Sequence, residues 1–453
     1  MTRTAPYHVA IVGSGPSGFF AAASLLKAAD TSEFAIAVDM LEMLPTPWGL
    51  VRSGVAPDHP KIKSVSQQFE KTAEDPRFRF FGNIKVGEHV SAAELAERYD
   101  AVIYAVGAQS DRALNIPGEH LPGSVAAVDF VGWYNAHPHF ERMSPDLSGA
   151  RAVVVGNGNV AVDVARMLIT DPDVLALTDI ADHALESLRP CGVEEVVLIG
   201  RRGPLQSAFT TLELRELGEL DGVDVVVDPA ELDGISDDDV AAAGKVTKNN
   251  IKVLREYAGR APRPGHRRIV LRFFTSPIEI KGGERVESIV LGRNELVTDA
   301  GGRMVAKDIG VREELPVQLV VRSVGYRGLA IPGLAFDDNN GTIPHTNGRI
   351  EGSRNEYVAG WIKRGPSGVI GTNKKCSQDT VDTVLVDLAA GAADRASDHG
   401  DDLAEWLTSR QPQLVTAAHW RAIDRFEREA GEPHGRPRAK LASLAELLRV
   451  GHG

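Results

Sequence analysis

The sequence predicts an α/β protein with two domains, each built on a parallel sheet. Strands of small β-branched residues alternate with helices along most of the 453 residues, which is typical of parallel sheets covered by helices. Two stretches, HVAIVGSGPSGF from residue 8 and AVVVGNGNVAVDVA from residue 152, share one order of strand, glycine loop and helix. A chain of this length also exceeds the usual size of a single domain, so we expect one sheet for each glycine loop.

The other elements follow in the order that such sheets require. In the first part of the chain we predict helices at 17–28 and 61–73 and strands at 8–13, 35–42, 78–82 and 100–108. In the second part we predict strands at 193–200, 224–227, 269–274, 286–292 and 315–326. A final strand from residue 356 leads into a glycine-rich loop and a helix from about Ser377, and the C-terminal residues have helical character.

Composition and charge exclude several classes of protein. The formal net charge of −12 argues against a nucleic-acid-binding protein. No apolar run is long enough for a transmembrane segment and the N-terminus has no apolar signal core, so we expect a cytoplasmic protein. The two cysteines, Cys191 and Cys376, lie far apart, which excludes a metal site built on cysteines and the C-x-x-C pair of a flavin disulfide reductase.

The first glycine loop carries the full G-x-G-x-x-G pattern of a dinucleotide-binding turn. Gly13 permits the tight turn, Gly15 lets the backbone approach a pyrophosphate, and Gly18 lets helix and strand pack closely. The free N–H groups at the start of the following helix favour the anionic pyrophosphate. Glu42 ends the next strand, where a carboxylate accepts hydrogen bonds from a ribose diol and repels a 2′-phosphate. The first loop therefore predicts a site for FAD or NAD rather than NADP.

The second glycine loop has the same pattern with alanine at its third position. Gly156 and Gly158 precede Ala161, a replacement that dinucleotide-binding loops allow. The next strand ends in Arg201 and Arg202, whose guanidinium groups suit the 2′-phosphate of NADPH. A long insertion separates this pair from the loop, and a basic pair with no ligand is the alternative interpretation.

Two loops with opposite preferences for a 2′-phosphate indicate a resident FAD and a mobile NADPH, with hydride passing from nicotinamide to flavin. Further stretches then resemble a known family: GSGPSGF from residue 13, TPWGLVRSGVAPDHPKIK at 46–63, GNGNVAVDVAR at 156–166, GRRGPLQSAFTTLELREL at 200–217 and GWIKRGPSGVIGTNK at 360–374. Over nearly its whole length the chain resembles the adrenodoxin-reductase type of ferredoxin–NADP reductase.

The resemblance implies two Rossmann-like domains, with an NADP-binding domain at 110–325 inserted into an FAD-binding domain formed by 1–109 and 326–453. It implies an enzyme that takes hydride from NADPH onto FAD and passes single electrons to a ferredoxin, often serving a cytochrome P450. The alternative is an NADPH-dependent flavin subunit with another acceptor, either a quinone or a partner like that of glutamate synthase. A flavin monooxygenase is disfavoured, because the F-x-G-x-x-x-H pattern fails at FVGWYNAHPHF by one residue.

The resemblance also implies contacts for both cofactors. On the adenosine and pyrophosphate side of FAD it implies Ser17, Glu42, Leu50 and Val86. At the isoalloxazine ring, with backbone N–H groups directed at its N1/O2 edge, it implies Trp361, Gly368, Val369 and Ile370. For NADP(H) it implies Arg112, Asn157, Gly158, Asn159, Val160, Arg201, Arg202, Glu213 and Gly368.

Two side chains are candidates for catalysis. His59 lies in the APDHP segment of the resembling motifs, and Glu216 lies in the LRE segment. Hydride transfer to a flavin needs proton transfer only at the flavin N1 and N5 atoms, and a histidine exchanges protons near neutral pH. Two interpretations stay open for each residue. His59 either shuttles a proton or only fixes its loop, and Glu216 is either catalytic or a helix-surface carboxylate.

A basic stretch on this acidic chain indicates a partner. Residues 245–268 contain eight lysines and arginines and one acid, Glu256. Ferredoxins are strongly acidic, so a basic face would attract one and raise its rate of association. A solvated helix face and loop is the alternative interpretation. The candidate docking residues are Lys245, Lys248, Lys252, Arg255, Arg267, Arg268, Lys374 and Lys375.

Overall fold

The computed structural model describes residues 6–31, 35–368, 370–391 and 400–453, and the chain forms two compact units. The first unit contains residues 1–110 and 326–453, and the second contains residues 111–325. The second unit is therefore inserted into the chain of the first, and each unit has its own parallel sheet and helices. This architecture confirms the predicted α/β fold class.

An eight-stranded sheet organises the first unit. Its five central strands are parallel. Side chains on both faces of these strands are buried, as at Val9 and Ile103 on one face and Ala10 and Val102 on the other, which is why the strand sequences are nearly continuous apolar runs. In spatial order the strands are His345–Thr346, Arg349–Ile350, Glu356–Val358, Ala101–Tyr104, Tyr7–Val12, Ile36–Leu41, Phe78–Gly82 and Val415–Thr416.

Helices cover this sheet and close its core. The helix Pro16–Thr31 packs against Ile370–Ala389, and their buried side chains, such as Leu25 and Val381, join one hydrophobic cluster. No helix in the described ranges has the length and apolar character needed to cross a bilayer. The other helices of this unit are Leu50–Ser53, Pro60–Lys63, Ser66–Ala73, Ala92–Arg98, Trp361–Arg364, Gly400–Arg410, Ala417–Gly431, the 3₁₀ turn Glu432–His434 and Leu444–His452.

The second unit contains a parallel sheet of six strands and an antiparallel sheet of three. The parallel strands are, in spatial order, Ser124–Ala126, Leu319–Arg322, Arg151–Val155, Glu195–Ile199, Arg267–Arg272 and Val223–Val227. The antiparallel strands are Thr275–Lys281, Ser288–Thr298 and Met304–Pro316. Two-residue strands, Ser110–Asp111 and Tyr326–Arg327, lie at the ends of the inserted segment.

Seven α-helices and three 3₁₀ turns are described in this second unit. The basic stretch from Lys245 forms an amphipathic helix that buries Ile251, Leu254 and Tyr257 and exposes its charged side chains. The α-helices are Ala127–Tyr134, Asn159–Ile169, Pro172–Leu175, Asp182–Leu188, Thr211–Leu217, Asp237–Ala242 and Lys245–Ala258, and the 3₁₀ turns are Pro138–Phe140, Pro204–Gln206 and Pro229–Glu231.

Two helix boundaries differ from those predicted. The helix expected at 61–73 is interrupted, because the Ser64 hydroxyl donates a hydrogen bond to the Lys61 carbonyl at 2.7 Å and competes with the helical bond there. The helix expected from about Ser377 begins earlier, at Ile370. Gly371, its second residue, is tolerated there because the N–H groups of a first turn make no bonds within the helix.

A histidine closes the first turn of the helix Ala417–Gly431. The Nδ1 atom of His419 accepts a hydrogen bond from the Thr416 backbone N–H at 3.2 Å. The centroids of the His419 and His452 rings lie 4.4 Å apart. Burial lowers the pKa of His419, and the neighbouring His452 lowers it further. The folded chain therefore favours the neutral imidazole, the only form in which Nδ1 can accept this bond.

Replacing His419 tests this arrangement through its pH dependence. Because the pKa of His419 is lower in the folded than in the unfolded chain, the stability it contributes is present above the unfolded value of about 6.5 and lost as pH falls below it. We expect the melting temperature of the wild type to fall more steeply from neutral pH toward pH 5.5 than that of His419→Gln. The corresponding loss of unfolding free energy should be at most that of one helix cap, about 0.5–2 kcal/mol. The matched control is His434→Gln, an exposed histidine of the same region. Identical slopes in the wild type and His419→Gln would contradict the assignment.

Candidate functional site

In the first unit, residues predicted to bind a dinucleotide follow parallel strands of one sheet. Gly13 follows Tyr7–Val12, Glu42 follows Ile36–Leu41, and Trp361 lies three residues beyond Glu356–Val358. Because parallel strands end at the same edge of a sheet, the fold collects these residues at one edge. In open α/β sheets this carboxyl edge is where ligands bind.

Glycine occupies the three positions of the first loop for different physical reasons. Gly13 has φ +103° and approaches the chain so closely that a Cβ atom there would lie 2.6 Å from the Ala105 carbonyl oxygen. A Cβ atom on Gly18 would lie 2.1 Å from the Gly13 carbonyl oxygen, so helix and loop also require glycine here. At Gly15, by contrast, no atom of the described residues would lie within 4 Å of a Cβ atom. Packing within the chain therefore does not explain Gly15, whereas close approach of the protein backbone to a ligand does.

Glu42 is buried and bonded to the first glycine loop. One carboxylate oxygen accepts hydrogen bonds from the Ser14 backbone N–H at 3.0 Å and the Ser14 hydroxyl at 2.5 Å. The other oxygen accepts from the Leu44 backbone N–H at 3.0 Å. Burial raises the pKa of Glu42, and these hydrogen bonds oppose that effect. Glu42 thus fixes the loop from the end of the second strand, and its contact with a ribose stays a prediction.

The segment that contains Trp48 and Gly49 packs against this loop. The Trp48 backbone N–H donates to the Ser14 carbonyl at 3.0 Å, and a Cβ atom on Gly49 would lie 2.9 Å from the Gly15 Cα atom. Leu50, a predicted FAD contact, is half-buried at the start of the next helix. Val86, another predicted contact, is half-buried and follows the strand Phe78–Gly82.

The glycine-rich segment after Glu356–Val358 packs on the helix of the first loop. A Cβ atom on Gly360 would lie 2.2 Å from the Ser17 hydroxyl oxygen, and the Ser377 hydroxyl donates to the Ser17 carbonyl at 2.9 Å. The Gly360 backbone N–H donates to the Cys376 sulfur at 3.3 Å. Ser17 is therefore held between the first glycine loop and the segment predicted to meet the flavin ring.

The residues predicted to meet the isoalloxazine occupy this segment. Trp361 begins a short helix, and its ring centroid lies 5.7 Å from that of Tyr326. Its indole Nε1 is buried and has no hydrogen-bond partner within the described ranges, which leaves a donor for a ligand atom. Gly368 has φ +81°, and Ile370 starts the long helix. Val369, also predicted at the flavin, lies outside the described residues.

In the second unit, the glycine loop 156–161 repeats the geometry of the first. Gly156 has φ +141°, and a Cβ atom there would lie 2.1 Å from the Ser323 carbonyl oxygen. At Gly158, which caps the helix Asn159–Ile169, no atom of the described residues would lie within 4 Å of a Cβ atom. Gly158 thus corresponds to Gly15, and its position again fits close approach of a ligand.

The two asparagines of this loop have structural bonds. The Asn159 side chain accepts from the Thr210 backbone N–H at 2.8 Å, and the Asn157 carbonyl accepts from the Ala208 N–H at 3.1 Å. A Cβ atom on Gly200 would lie 2.7 Å from the Asn157 side-chain nitrogen. The loop is therefore fixed to the strand end that carries the predicted phosphate selectors. Val160, the last of this predicted group, is half-buried.

Arg201 and Arg202 follow the strand Glu195–Ile199 with their side chains exposed. Their backbone is fixed, because the Arg201 carbonyl accepts from the Asn294 side chain at 2.9 Å and the Arg202 carbonyl accepts from the Phe274 N–H at 3.0 Å. A fixed backbone with two exposed guanidinium groups is suited to a mobile phosphate ligand. Arg112, the third predicted arginine, is also exposed.

Glu213 and Glu216 surround a buried arginine that sequence reasoning missed. Arg166 donates to Asp163 at 2.8 Å and to Glu213 at 3.4 Å, and its distance to Glu216 is 3.9 Å. Glu213 therefore links the glycine-loop helix to the helix Thr211–Leu217. A sequence signal exists, since Asp163 and Arg166 are a charged i,i+3 pair inside an otherwise apolar helix.

The two predicted catalytic residues belong to different units. His59 is half-buried in the first unit at the start of the helix Pro60–Lys63, and Glu216 is half-buried in the second unit. Their catalytic roles, like the binding roles of the other predicted residues, stay predictions.

Comparison with known proteins identifies relatives over the whole length. A family model described as pyridine nucleotide-disulphide oxidoreductase matches residues 7–255. The NADPH-ferredoxin reductase FprA of Mycobacterium leprae is 77% identical over 451 residues, covering 99% of both chains. The structure of Mycobacterium tuberculosis FprA in complex with NADPH has a TM-score of 0.98 and 77% identity, covering 99% of this chain and 100% of that one. The mitochondrial NADPH:adrenodoxin oxidoreductase of Arabidopsis thaliana is 38% identical, covering 98% of this chain and 95% of that protein.

A methyl group on Gly158 tests whether the open space at the second loop belongs to a ligand. We expect Gly158→Ala to weaken NADPH binding at least about tenfold, or 1.4 kcal/mol, while the melting temperature changes no more than in a control variant. The matched control is Gly244→Ala, because Gly244 also caps a helix with open space around its Cβ position. Both substitutions carry the same capping cost, because alanine is a poorer N-cap than glycine. NADPH titrations and thermal melts of both variants decide the matter, and unchanged NADPH affinity in Gly158→Ala would refute the assignment.

Proposed function

The chain belongs to the pyridine nucleotide-disulphide oxidoreductase family and, within it, to the NADPH-ferredoxin reductases, and we propose that it passes electrons from NADPH through FAD to a ferredoxin. The observation that carries this proposal is the pair of glycine loops at the carboxyl edges of two parallel sheets. In each loop the second glycine, Gly15 or Gly158, adjoins space that no atom of the described residues fills. Two such loops fit two dinucleotides in one protein.

The residues around the first loop would hold the flavin. FAD, when bound, accepts two electrons as hydride and returns them one at a time. Gly13, Gly15 and Gly18 let the pyrophosphate lie at the N-terminus of the helix Pro16–Thr31, and Glu42 accepts hydrogen bonds from the adenosine ribose. The remaining FAD contacts in this proposal are Ser17, Leu50, Val86, Trp361, Gly368, Val369 and Ile370.

Backbone groups near the start of the helix Ile370–Ala389 would stabilise charge on the flavin. A helix N-terminus presents N–H groups without helical partners and a partial positive charge. Donors fixed in advance cost no reorganisation when charge develops at the ring. The buried indole N–H of Trp361 adds one more donor in the same segment.

The second unit would bind NADPH and read its 2′-phosphate. Asn157, Gly158, Asn159 and Val160 form the turn under the pyrophosphate, and Arg112 and Glu213 complete the proposed contacts. Arg201 and Arg202 supply two permanent charges whose planar groups bind a phosphate monoester in bidentate fashion. We place His59 and Glu216 at the proton transfers that accompany flavin reduction, with His59 as the group that holds or moves a proton.

We further propose that the enzyme works in the cytoplasm and supplies ferredoxins that feed cytochrome P450 or other iron–sulfur-dependent systems. The free cysteines Cys191 and Cys376 support this proposal, because thiols persist in a reducing compartment.

The docking proposal is confined to one helix of the predicted basic set. Lys245, Lys248, Lys252 and Arg255 lie exposed along the helix Lys245–Ala258. Two of these lysines lie in the first turn, where positive charge opposes the helix dipole and lowers helix stability. Helix formation therefore does not explain them, whereas attraction of an acidic ferredoxin does.

The other predicted cations are less suited to the same face. Arg267 donates to the Ile169 carbonyl at 3.2 Å, and Arg268 forms an ion pair with Glu195 at 3.1 Å. Lys374 and Lys375 are exposed but belong to the first unit. We therefore assign docking to the lysines of the helix Lys245–Ala258.

The paired arginines make a specificity prediction. We expect Arg201→Ala combined with Arg202→Ala to raise the KM for NADPH and leave that for NADH nearly unchanged. Loss of charged hydrogen bonds costs about 1.5–3 kcal/mol, so the NADPH/NADH preference should fall at least about tenfold. Arg285→Ala combined with Arg303→Ala removes two exposed arginines of the same unit and serves as the control. Steady-state kinetics with both nucleotides test this, and an unchanged preference would overturn the NADPH assignment.

Ferredoxin-dependent reduction of cytochrome c by the purified protein tests the function and the docking helix together. We expect NADPH-driven turnover to rise strongly when an acidic ferredoxin is added. Reversal of Lys245, Lys248 and Lys252 to glutamate should slow the ferredoxin-dependent step at least about tenfold at low salt, with the difference shrinking as salt increases. Reduction of ferricyanide, a small acceptor, should not change.

The control for this experiment reverses the same number of charges elsewhere in the second unit. Arg303 and Lys307 are exposed and Lys281 is half-buried, and all three form surface ion pairs, which contribute little to stability. If their reversal slows ferredoxin reduction equally, net charge rather than the helix Lys245–Ala258 attracts the partner. If ferredoxin has no effect on the wild type, the acceptor is a different molecule and the proposed function is wrong.

A further inference from the structure

A buried ion pair joins the C-terminal part of the chain to the segment that covers the first glycine loop. Arg52 donates two parallel hydrogen bonds to Glu427, one at 2.8 Å and one at 2.5 Å. The side chain of Glu427 is 0% exposed and that of Arg52 is 4% exposed. Residue 427 lies in the helix Ala417–Gly431, which is far along the chain from residue 52.

Both carboxylate oxygens of Glu427 accept a further hydrogen bond. The Arg438 guanidinium donates to Glu427 at 3.1 Å and to Asp424 at 2.7 Å. The Leu441 backbone N–H donates to the other Glu427 oxygen at 2.9 Å. Burial acts to raise the pKa of Glu427, and the charges of Arg52 and Arg438 outweigh it, so this pKa lies below its ordinary value. The group is therefore an ionised, fully bonded carboxylate.

Aromatic rings frame the same contact. The Trp48 and Trp420 rings meet edge to face with centroids 5.1 Å apart. The Arg52 guanidinium lies 5.6 Å from the centroid of Trp420, and that of Arg438 lies 5.8 Å from the centroid of Trp48. Each arginine thus binds Glu427 and also stacks on a tryptophan, which fixes the position of Trp48 relative to the C-terminal helix.

The contact continues to the first glycine loop through the backbone. The Arg52 N–H donates to the Gly49 carbonyl at 3.1 Å within one tight turn. Gly49 approaches Gly15 so closely that a Cβ atom would lie 2.9 Å from the Gly15 Cα atom, and the Trp48 N–H bonds the Ser14 carbonyl. Hence any displacement of Arg52 shifts the backbone that holds Ser14 and Gly15 in place.

Stability alone does not account for this pair. A buried ion pair is often no more stabilising than apolar side chains of similar volume, because both charges lose their hydration. What it supplies is a fixed geometry, since the planar guanidinium and carboxylate match in only a few orientations. The helix Ala417–Gly431 therefore acts as a positional restraint on Trp48 and Gly49.

We propose that Glu427 and Arg52 are positioning residues for the flavin, and that the helix Ala417–Gly431 controls how slowly FAD leaves the first glycine loop. This inference rests on the proposed function, in which FAD occupies that loop. Glu427 touches neither the glycines nor a cofactor in this account, and it acts through Arg52, Trp48 and Gly49.

The test measures FAD release from the purified holoenzyme, through the rise in flavin fluorescence, together with the melting temperature. We expect Glu427→Gln to release FAD at least about tenfold faster than the wild type, because the second charged bond to Arg52 is lost. Excess FAD should restore turnover, which a general loss of structure would prevent. The matched control is Arg428→Met. Arg428 lies on the same helix but pairs with Asp424 and Glu70 rather than with Glu427.

Two further variants keep the inference testable if Glu427→Gln does not fold. Arg52→Met combined with Glu427→Leu removes the pair without leaving a buried unpaired charge, and it should fold and still release FAD faster. Arg52→Lys keeps the charge and loses the fork, and it should show an intermediate rate. Wild-type release rates in whichever of these variants fold would overturn the inference. A wild-type protein that binds no FAD would instead overturn the proposed function.

Discussion

Both units depend on one constraint, which is the close contact between a glycine loop and the chain that follows a neighbouring parallel strand. The Gly13 N–H donates to Leu41 at 2.8 Å, and the Ala105 N–H donates to Val12 at 2.7 Å. In the second unit the Gly156 N–H donates to Ile199 at 2.9 Å, and the Ser323 N–H donates to Val155 at 2.8 Å, in the same pattern. Each first glycine is clamped between two strand ends, where a side chain has no room. Because the strand ends fix the loop, the following helix begins at a set point and presents its N-terminus to the carboxyl edge.

The two units share this backbone and differ in the predicted selector at the end of the next strand. Glu42 is buried and bonded to Ser14 and Leu44, so the predicted acidic selector is part of the loop beside it. Arg201 and Arg202 are held through their backbone carbonyls by described residues and leave their guanidinium groups exposed. A buried, prebonded acceptor suits a cofactor that stays, whereas exposed charges with long side chains suit a ligand that must enter and leave on each turnover.

Local pattern predicted the fold class, the order of most elements and the glycine loops, because these depend on periodicity and on residues close in sequence. It placed helix boundaries less well. The Ser64 hydroxyl interrupts a helix by one side-chain bond, and the helix at Ile370 begins inside a glycine-rich segment. The bonds of Asn157 and Asn159 to the segment 208–210 also lay beyond prediction, because only the folded unit brings those backbone groups together. Contacts between distant parts of the chain, such as Arg52 with Glu427, have no local signature at all.

The distant contacts near the first glycine loop can be related to the ligand that this loop retains. The first loop is covered by Trp48 and Gly49, and this cover is fixed by a buried arginine–glutamate pair and two tryptophans. Burying these charges costs hydration energy that an apolar core would not require, so selection for stability alone would favour aliphatic side chains there. Selection for slow release of a bound flavin favours the pair instead, because a restraint with one geometry raises the barrier to opening without needing to raise the stability of the whole unit. On this argument the C-terminal helices, which carry no cofactor motif in the sequence, are part of the machinery that keeps the flavin bound.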